Sequence, residues 1–212
     1  MPQAIRAVLL IGPTGSGKSP AGMLLERRGG FRHFDFGAEL RAAAAGLRGL
    51  SDADMAFVRQ MLASHALLPD ERFDIAAKLL DRFLKAVGFC PEREVLVLNG
   101  LPRHVAQARA MAPLVRIEHV VVFDCEVEAA HARVGRRRRG EGLDHAGRPD
   151  DTPAAVARKL ALYAAETEPL AAYYGSDPSV RVTRLRVGAN TDDEAVMEQM
   201  LDAFSLPGAT RS

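Results

Sequence analysis

Residues 7–19, Ala-Val-Leu-Leu-Ile-Gly-Pro-Thr-Gly-Ser-Gly-Lys-Ser, decide how this chain folds. The apolar run 7–11 reads as a buried strand, and 21–28 reads as a helix that stops at Gly29-Gly30. Between them, Gly12, Pro13, Thr14, Gly15, Ser16, Gly17, Lys18 and Ser19 satisfy G-x-x-x-x-G-K-[ST]. A strand, a glycine loop and a helix in that order form a cradle for phosphate. Glycines let backbone N–H groups turn inward, the helix N-terminus adds partial positive charge, and Lys18 reaches the outer phosphates. Ser19 is then placed to offer its hydroxyl to Mg²⁺. Pro20 falls in the first helical turn, where an N–H has no intrahelical partner to lose. The expected ligand is a nucleoside triphosphate.

Outward from this loop, apolar strands alternate with helices. Strands are expected at 31–35, 94–98, 119–123 and 180–187, and helices at 39–47, 52–65, 72–87, 127–139, 153–174 and 192–204. In the long helix 153–174, Val156, Leu160, Tyr163, Thr167, Leu170 and Tyr174 recur at helical spacing and mark its inner stripe. Short apolar strands separated by helices imply a parallel sheet covered on both faces. The 212 residues suit one α/β domain, and no repeat or low-complexity linker divides them.

Composition narrows the partners. A formal net charge of +1 exerts no overall pull toward nucleic acid or a membrane surface. No apolar stretch approaches membrane-spanning length, and no signal peptide is expected at the N-terminus. Cys90 and Cys125 are too few for a disulfide framework or a cysteine zinc site, so reduced thiols in a cytoplasmic monomer are expected.

Ligands of a parallel sheet gather at the carboxyl ends of its strands. After the second strand comes Asp35-Phe36-Gly37-Ala38-Glu39-Leu40-Arg41, and after the third Asn99-Gly100-Leu101-Pro102-Arg103. Gln107, four residues beyond Arg103, is expected on the same helix face. A guanidinium suits a phosphate there, and an amide suits the edge of a base. After the fourth strand, a helix delivers Arg133 and the run Arg136 to Arg139 into a loop with Gly140, Gly142 and Gly147, closing at Arg148-Pro149-Asp150-Asp151. Within the run, Arg136 and Arg138 read equally well as a solvated face.

These segments resemble the adenylate kinases, nucleoside monophosphate kinases of the short-lid type. Gly37-Ala38-Glu39-Leu40-Arg41 is similar to the family's G-D-x-L-R, and 98–107 to its L-D-G-F-P-R-x-x-x-Q. Residues 147–151, with the helix down to Tyr174, resemble its G-R-x-D-D lid exit. The resemblance implies a P-loop kinase fold: a five-stranded parallel sheet flanked by helices, a monophosphate-binding insertion at about 37–68 and a lid at about 137–150. It further implies transfer of the terminal phosphate of MgATP to a nucleoside monophosphate, with AMP the first guess. Gly37, Arg41, Leu68, Gly100, Arg103 and Gln107 would bind the acceptor, and Arg133 and Arg137 would lie near ATP. Lys18, Arg103, Arg139, Arg148 and Lys159 would act on the phosphoryl group in flight. Such chemistry needs positioning and positive charge more than a covalent nucleophile. The four consecutive arginines leave the register of the lid assignment open.

The chain departs from the family pattern at chosen places. Ala38 and Asn99 stand where the family has carboxylates that order water around Mg²⁺; Asp35 and Glu39 are the candidates to replace them. Phe36 stands in place of a Thr beside the acceptor base, and Lys159 in place of an Arg whose two-pronged geometry it lacks. Two alternatives stay open: a kinase of the same fold for another small phosphate acceptor, and a nucleotide-binding protein with weakened catalysis.

Overall fold

The computed structural model describes residues 4–144 and 151–204. Its sheet has five parallel strands: β1 (Ile5–Ile11), β2 (Phe31–Asp35), β3 (Val95–Asn99), β4 (Val115–Asp124) and β5 (Arg181–Arg186), in the order β2-β3-β1-β4-β5. Both faces of β1 are buried, and its side chains alternate between two cores. Leu9 and Ile11 pack with Phe34, Leu79, Leu98 and Leu170 on one side, while Val8 and Leu10 pack with Leu25, Val97, Val121, Phe123 and Met200 on the other. A continuous apolar run is what a two-faced strand requires, because neither side meets water.

Helix α1 (Lys18–Arg28) leads from the glycine loop toward β2 and, with α9 (Asp193–Ala203), supplies Leu25 and Met200 to the second core. Three helices lie between β2 and β3: α2 (Phe36–Ala44), α3 (Asp52–Ser64) and α4 (Phe73–Ala86). α4 sends Ile75, Leu79 and Leu80 into the first core, whereas 37–68 carries most of α2, all of α3 and the loop beyond. The short α5 (Val105–Met111) joins β3 to β4, and α6 (Val127–Arg138) follows β4.

Local chemistry moves several of the expected boundaries. α2 begins at Phe36, three residues early, because the Asp35 carboxylate caps it by accepting from the Ala38 N–H at 3.0 Å. The helix expected over 153–174 is broken into α7 (Pro153–Leu162), a π turn (Tyr163–Thr167) and α8 (Pro169–Gly175). Pro169 has no N–H to continue the ladder, and the Glu168 N–H bonds back to the Tyr163 carbonyl at 2.9 Å, one residue wider than an α turn. Of the expected inner stripe, Val156, Leu170 and Tyr174 are buried, while Leu160, Tyr163 and Thr167 around the break are half-buried. Among the described residues, no helix is long and apolar enough to cross a membrane.

Candidate active site

The chain passes from β3 across β1 to β4, and the carboxyl ends of these strands open into a cleft of about 480 Å³. The glycine loop forms its floor. Gly17, at the mouth of α1, has φ +91°, and a Cβ there would meet Arg133 Nη2 at 2.8 Å. Gly15 has φ +82°, with the Ala130 carbonyl 2.5 Å from a would-be Cβ. Both positions need a residue with no side chain. Gly12, Thr14, Gly15, Gly17, Lys18 and Ser19 line the cleft, while Pro13 and Ser16 are buried behind it. Lys18 Nζ donates to the carbonyls of Gly12 and Pro13, each at 2.7 Å, and to Ser16 Oγ at 3.2 Å.

Beside Lys18 lies a polar cluster that spans three elements. Strand register sets Asp35 at the end of β2 directly against Asn99 at the end of β3. Ser19 Oγ donates to Asp35 Oδ2 at 2.7 Å, and Asn99 Nδ2 donates to Ser19 Oγ at 3.0 Å and to Asp35 Oδ2 at 3.1 Å. His33 closes the cluster from behind, with Nε2 3.5 Å from Asn99 Nδ2. Burial holds the His33 imidazole below its ordinary pKa against the opposing pull of Asp35 and Glu26. A hydroxyl and a carboxylate are hard oxygen donors of the kind Mg²⁺ takes beside phosphates, so this corner of the cleft fits that ion. Glu39, the other carboxylate candidate, is 6% exposed and locked in an ion pair with Arg48.

The cleft is also lined by Phe36, Gly37, Leu40, Arg41, Leu68, Gly100, Arg103 and Gln107. Arg41 folds over Gly37, and Arg103 folds over Gly100, donating from Nε to its carbonyl at 3.1 Å. The sequence places Arg103 and Gln107 on one helix face; in the structure Arg103 precedes α5, which starts at Val105 after the His104 N-cap. The Gln107 amide is buried and spans backbone, accepting from the Arg103 N–H at 2.9 Å and donating to the Leu68 carbonyl at 2.8 Å. Phe36 is 3% exposed and stacks on Phe34 with centroids 6.1 Å apart, so it both packs the core and walls the cleft.

The arginine run sorts by burial. Arg133 donates to the Gly15 carbonyl at 3.0 Å and to the Thr191 carbonyl at 2.8 Å, and pairs with Asp193. Arg136 lines the cleft and donates to the Ala189 carbonyl at 2.5 Å. Arg137 forks onto both oxygens of Asp151 at 2.7 Å each and reaches Asp144 at 3.2 Å. Burial works against its charge, but these two carboxylates outweigh it and hold its pKa above the usual guanidinium value. Arg138 and Arg139 are exposed. Arg139, expected to close over the phosphoryl group, pairs instead with Glu141 and does not line the cleft, because α6 ends at Arg138 and turns it outward. Lys159 lines the cleft from α7. Gly147 and Arg148 lie outside the described residues.

Two features escaped the sequence reading. The loop after β5 brings Asn190, Thr191, Asp192 and Asp193 to the cleft wall. Applying the strand-end rule to the fifth strand, as to the first four, finds them. The Asp151 and Asp144 partners of Arg137 carry no local signal, since they lie fourteen and seven residues away across a loop.

A glycine-loop cradle and a pair of arginines lining one cleft, on a parallel sheet of order 2-3-1-4-5, define a P-loop phosphotransferase. No family model matches the chain. Curated relatives do. The adenylate kinase of Nitrobacter hamburgensis is 35% identical over 180 residues, covering 79% of this chain and 78% of that protein. The adenylate kinase of Synechococcus sp. strain CC9311 is 32% identical over 173 residues, covering 79% and 83%. That of Xanthomonas oryzae is 30% identical over 204 residues, covering 93% and 98%. The chain belongs to the adenylate kinase family.

Proposed function

We propose that the chain moves the terminal phosphoryl group of MgATP to AMP, reversibly, as a cytoplasmic monomer with no nucleic-acid or membrane partner. The observation that carries this reading is that one cleft is lined by Lys18 and Ser19 of the phosphate cradle and by the arginines Arg41 and Arg103. Two nucleotides entering from opposite sides meet with their phosphates between these groups. An oxygen of the acceptor phosphate attacks the γ-phosphorus, the bond from that phosphorus to the β-bridging oxygen breaks, and ADP forms on both sides. The acceptor phosphate is already ionised, so no general base is needed.

The residues divide the work. Lys18 exchanges its carbonyl partners for β- and γ-phosphate oxygens. Backbone N–H groups of Gly15 and Gly17 hold the donor phosphates, with Arg133, itself on the cleft wall, bracing the loop. Arg41 and Arg103 hold the acceptor phosphate, between Gly37 and Gly100. Arg136 and Lys159 bring positive charge from the lid side, with Arg139 and Arg148 joining them on closure, while Arg137 stays forked onto Asp151. Ser19 would hold Mg²⁺, which would supply charge neutralisation on the donor phosphates.

One observation favours a second reading, in which the acceptor carries a different base. Gln107 spends its amide on backbone and Phe36 replaces a polar neighbour, so the acceptor pocket is mainly apolar. A coupled assay with MgATP against AMP, CMP, UMP and GMP separates the readings, and AMP is the expected acceptor. Lys18→Ala should abolish turnover. Arg103→Ala removes charge-assisted hydrogen bonds of about 1.5–3 kcal/mol, so the acceptor KM should rise by roughly 10- to 100-fold with the ATP KM nearly unchanged. An equal loss of ATP affinity in both variants contradicts the assignment.

A further inference from the structure

We propose that Asp35 is the carboxylate that holds the donor's metal ion in this chain, replacing from β2 the charge that Ala38 and Asn99 do not supply. The inference rests on the MgATP reading above and names a residue that this reading leaves without a role. Five described acidic residues line the cleft: Asp35, Glu141, Asp144, Asp192 and Asp193. Glu141 pairs with Arg139, Asp144 with Arg137 and Asp193 with Arg133, and Asp192 caps α9 through the Ala195 N–H. Asp35 is the one whose carboxylate bonds the hydroxyl of Ser19, at 2.7 Å, next to the phosphate cradle.

Its geometry is set from two sides. Oδ1 is held by the Ala38 N–H at 3.0 Å as the cap of α2, which leaves Oδ2 directed at Ser19 and Asn99. Asn99 is the neutral partner this arrangement requires. A carboxylate at that position would place two like charges about 3.1 Å apart, and one of them would have to protonate. Asp35 and Asn99 are therefore a matched pair, in which the negative charge has moved one strand across the sheet. The side chain of Ala38 lies on an exposed position of the first turn of α2 and has no oxygen to offer.

Mn²⁺ bound in the presence of the β,γ-imido analogue of ATP, followed by electron paramagnetic resonance, tests this without turnover. Asp35→Asn keeps a capping oxygen for α2 and removes only the charge. Loss of one oriented partner should weaken Mn²⁺ binding by about 10- to 100-fold, while binding of the metal-free analogue in EDTA holds. Adding Asn99→Asp to Asp35→Asn returns a carboxylate to the cluster and should recover most of the metal affinity. Asp35→Ser, which also caps, serves as the second neutral variant should the first fold poorly. Unchanged Mn²⁺ affinity in a folded neutral variant overturns the proposal and leaves the MgATP reading standing. A wild-type protein that takes up no analogue, with or without metal, overturns both.

Discussion

Arg133→Ala separates a brace of the loop from a direct ligand of ATP. The guanidinium sits 7% exposed between three acceptors: the Gly15 carbonyl, the Thr191 carbonyl and the Asp193 carboxylate, itself 22% exposed. Truncation leaves a half-buried carboxylate and two carbonyls without their donor, which costs about 1–3 kcal/mol. For a chain of this size each kcal/mol lowers Tm by roughly 2–4 °C, so Tm should fall by about 2–12 °C. The ATP KM should rise as well, because the Gly15 turn loses its support. Asp193→Asn sharpens the test. If Arg133 were a phosphate ligand restrained by Asp193, neutralising Asp193 would release it and tighten ATP binding. As a brace, Arg133 loses its charged partner, so Tm should drop and ATP affinity should not improve. Scanning calorimetry with an ATP titration on both variants reads the two quantities. An unchanged Tm in Arg133→Ala with only the ATP KM raised would refute the brace, as would tighter ATP binding in Asp193→Asn.

Gly22→Ala should cost about 1–3 kcal/mol in urea unfolding, since the new methyl would lie 2.3 Å from His33 Cδ2 and force α1 off β2. Combining it with His33→Ala should cost less than the sum of the single changes, because the clash is removed. His119, buried with Nε2 2.8 Å from Thr183 Oγ1, has its pKa pushed down to about 4, chiefly by burial and then by Arg181. Between its ordinary value of about 6.5 and that depressed value, the unfolded chain binds the extra proton, so stability should fall as pH drops through this window. His119→Asn should flatten that slope in pH-dependent melting, and an unaltered slope would assign the acid sensitivity elsewhere.

What could be read from the sequence was local. β1, β3 and β4 were legible from the apolar runs 7–11, 95–98 and 120–123, which are buried on both faces; the start of β4 was not, because exposed Arg116 and half-buried Glu118 alternate with buried Val115 and Ile117. The cradle was legible because its strand, glycines and helix are contiguous. The start of α2 was not, because Asp35 is both the last residue of β2 and a cap. The break at 163–168 was masked by the apolar stripe running through it, although Pro169 marks it. Within the arginine run, each residue turns about 100° from the last, so composition alone cannot tell Arg136 and Arg137 from Arg138 and Arg139. Only burial against Ala189 and Asp151 does so. Asp35 and Asn99 are far apart in sequence, and parallel register makes them neighbours.

The cations around the cleft divide by what holds them at rest. Lys18 donates to two neutral carbonyls and a hydroxyl, bonds that a triphosphate can replace with stronger, charge-assisted ones. Arg133 and Arg137 are buried against carboxylates, and re-aiming either one would strand a negative charge beside an incoming anion. These two therefore hold the frame in place. Arg133 ties α6 to the glycine loop and to the start of α9. Arg137 ties the end of α6 to Asp151 at the approach to α7, which pins the two ends of the segment between them. An arginine that is to reach the transferred group has to be one whose resting partner is easily given up. The exposed pair Arg139–Glu141 suits that role, since its partner is solvated and an exposed ion pair is weak enough to exchange for phosphate.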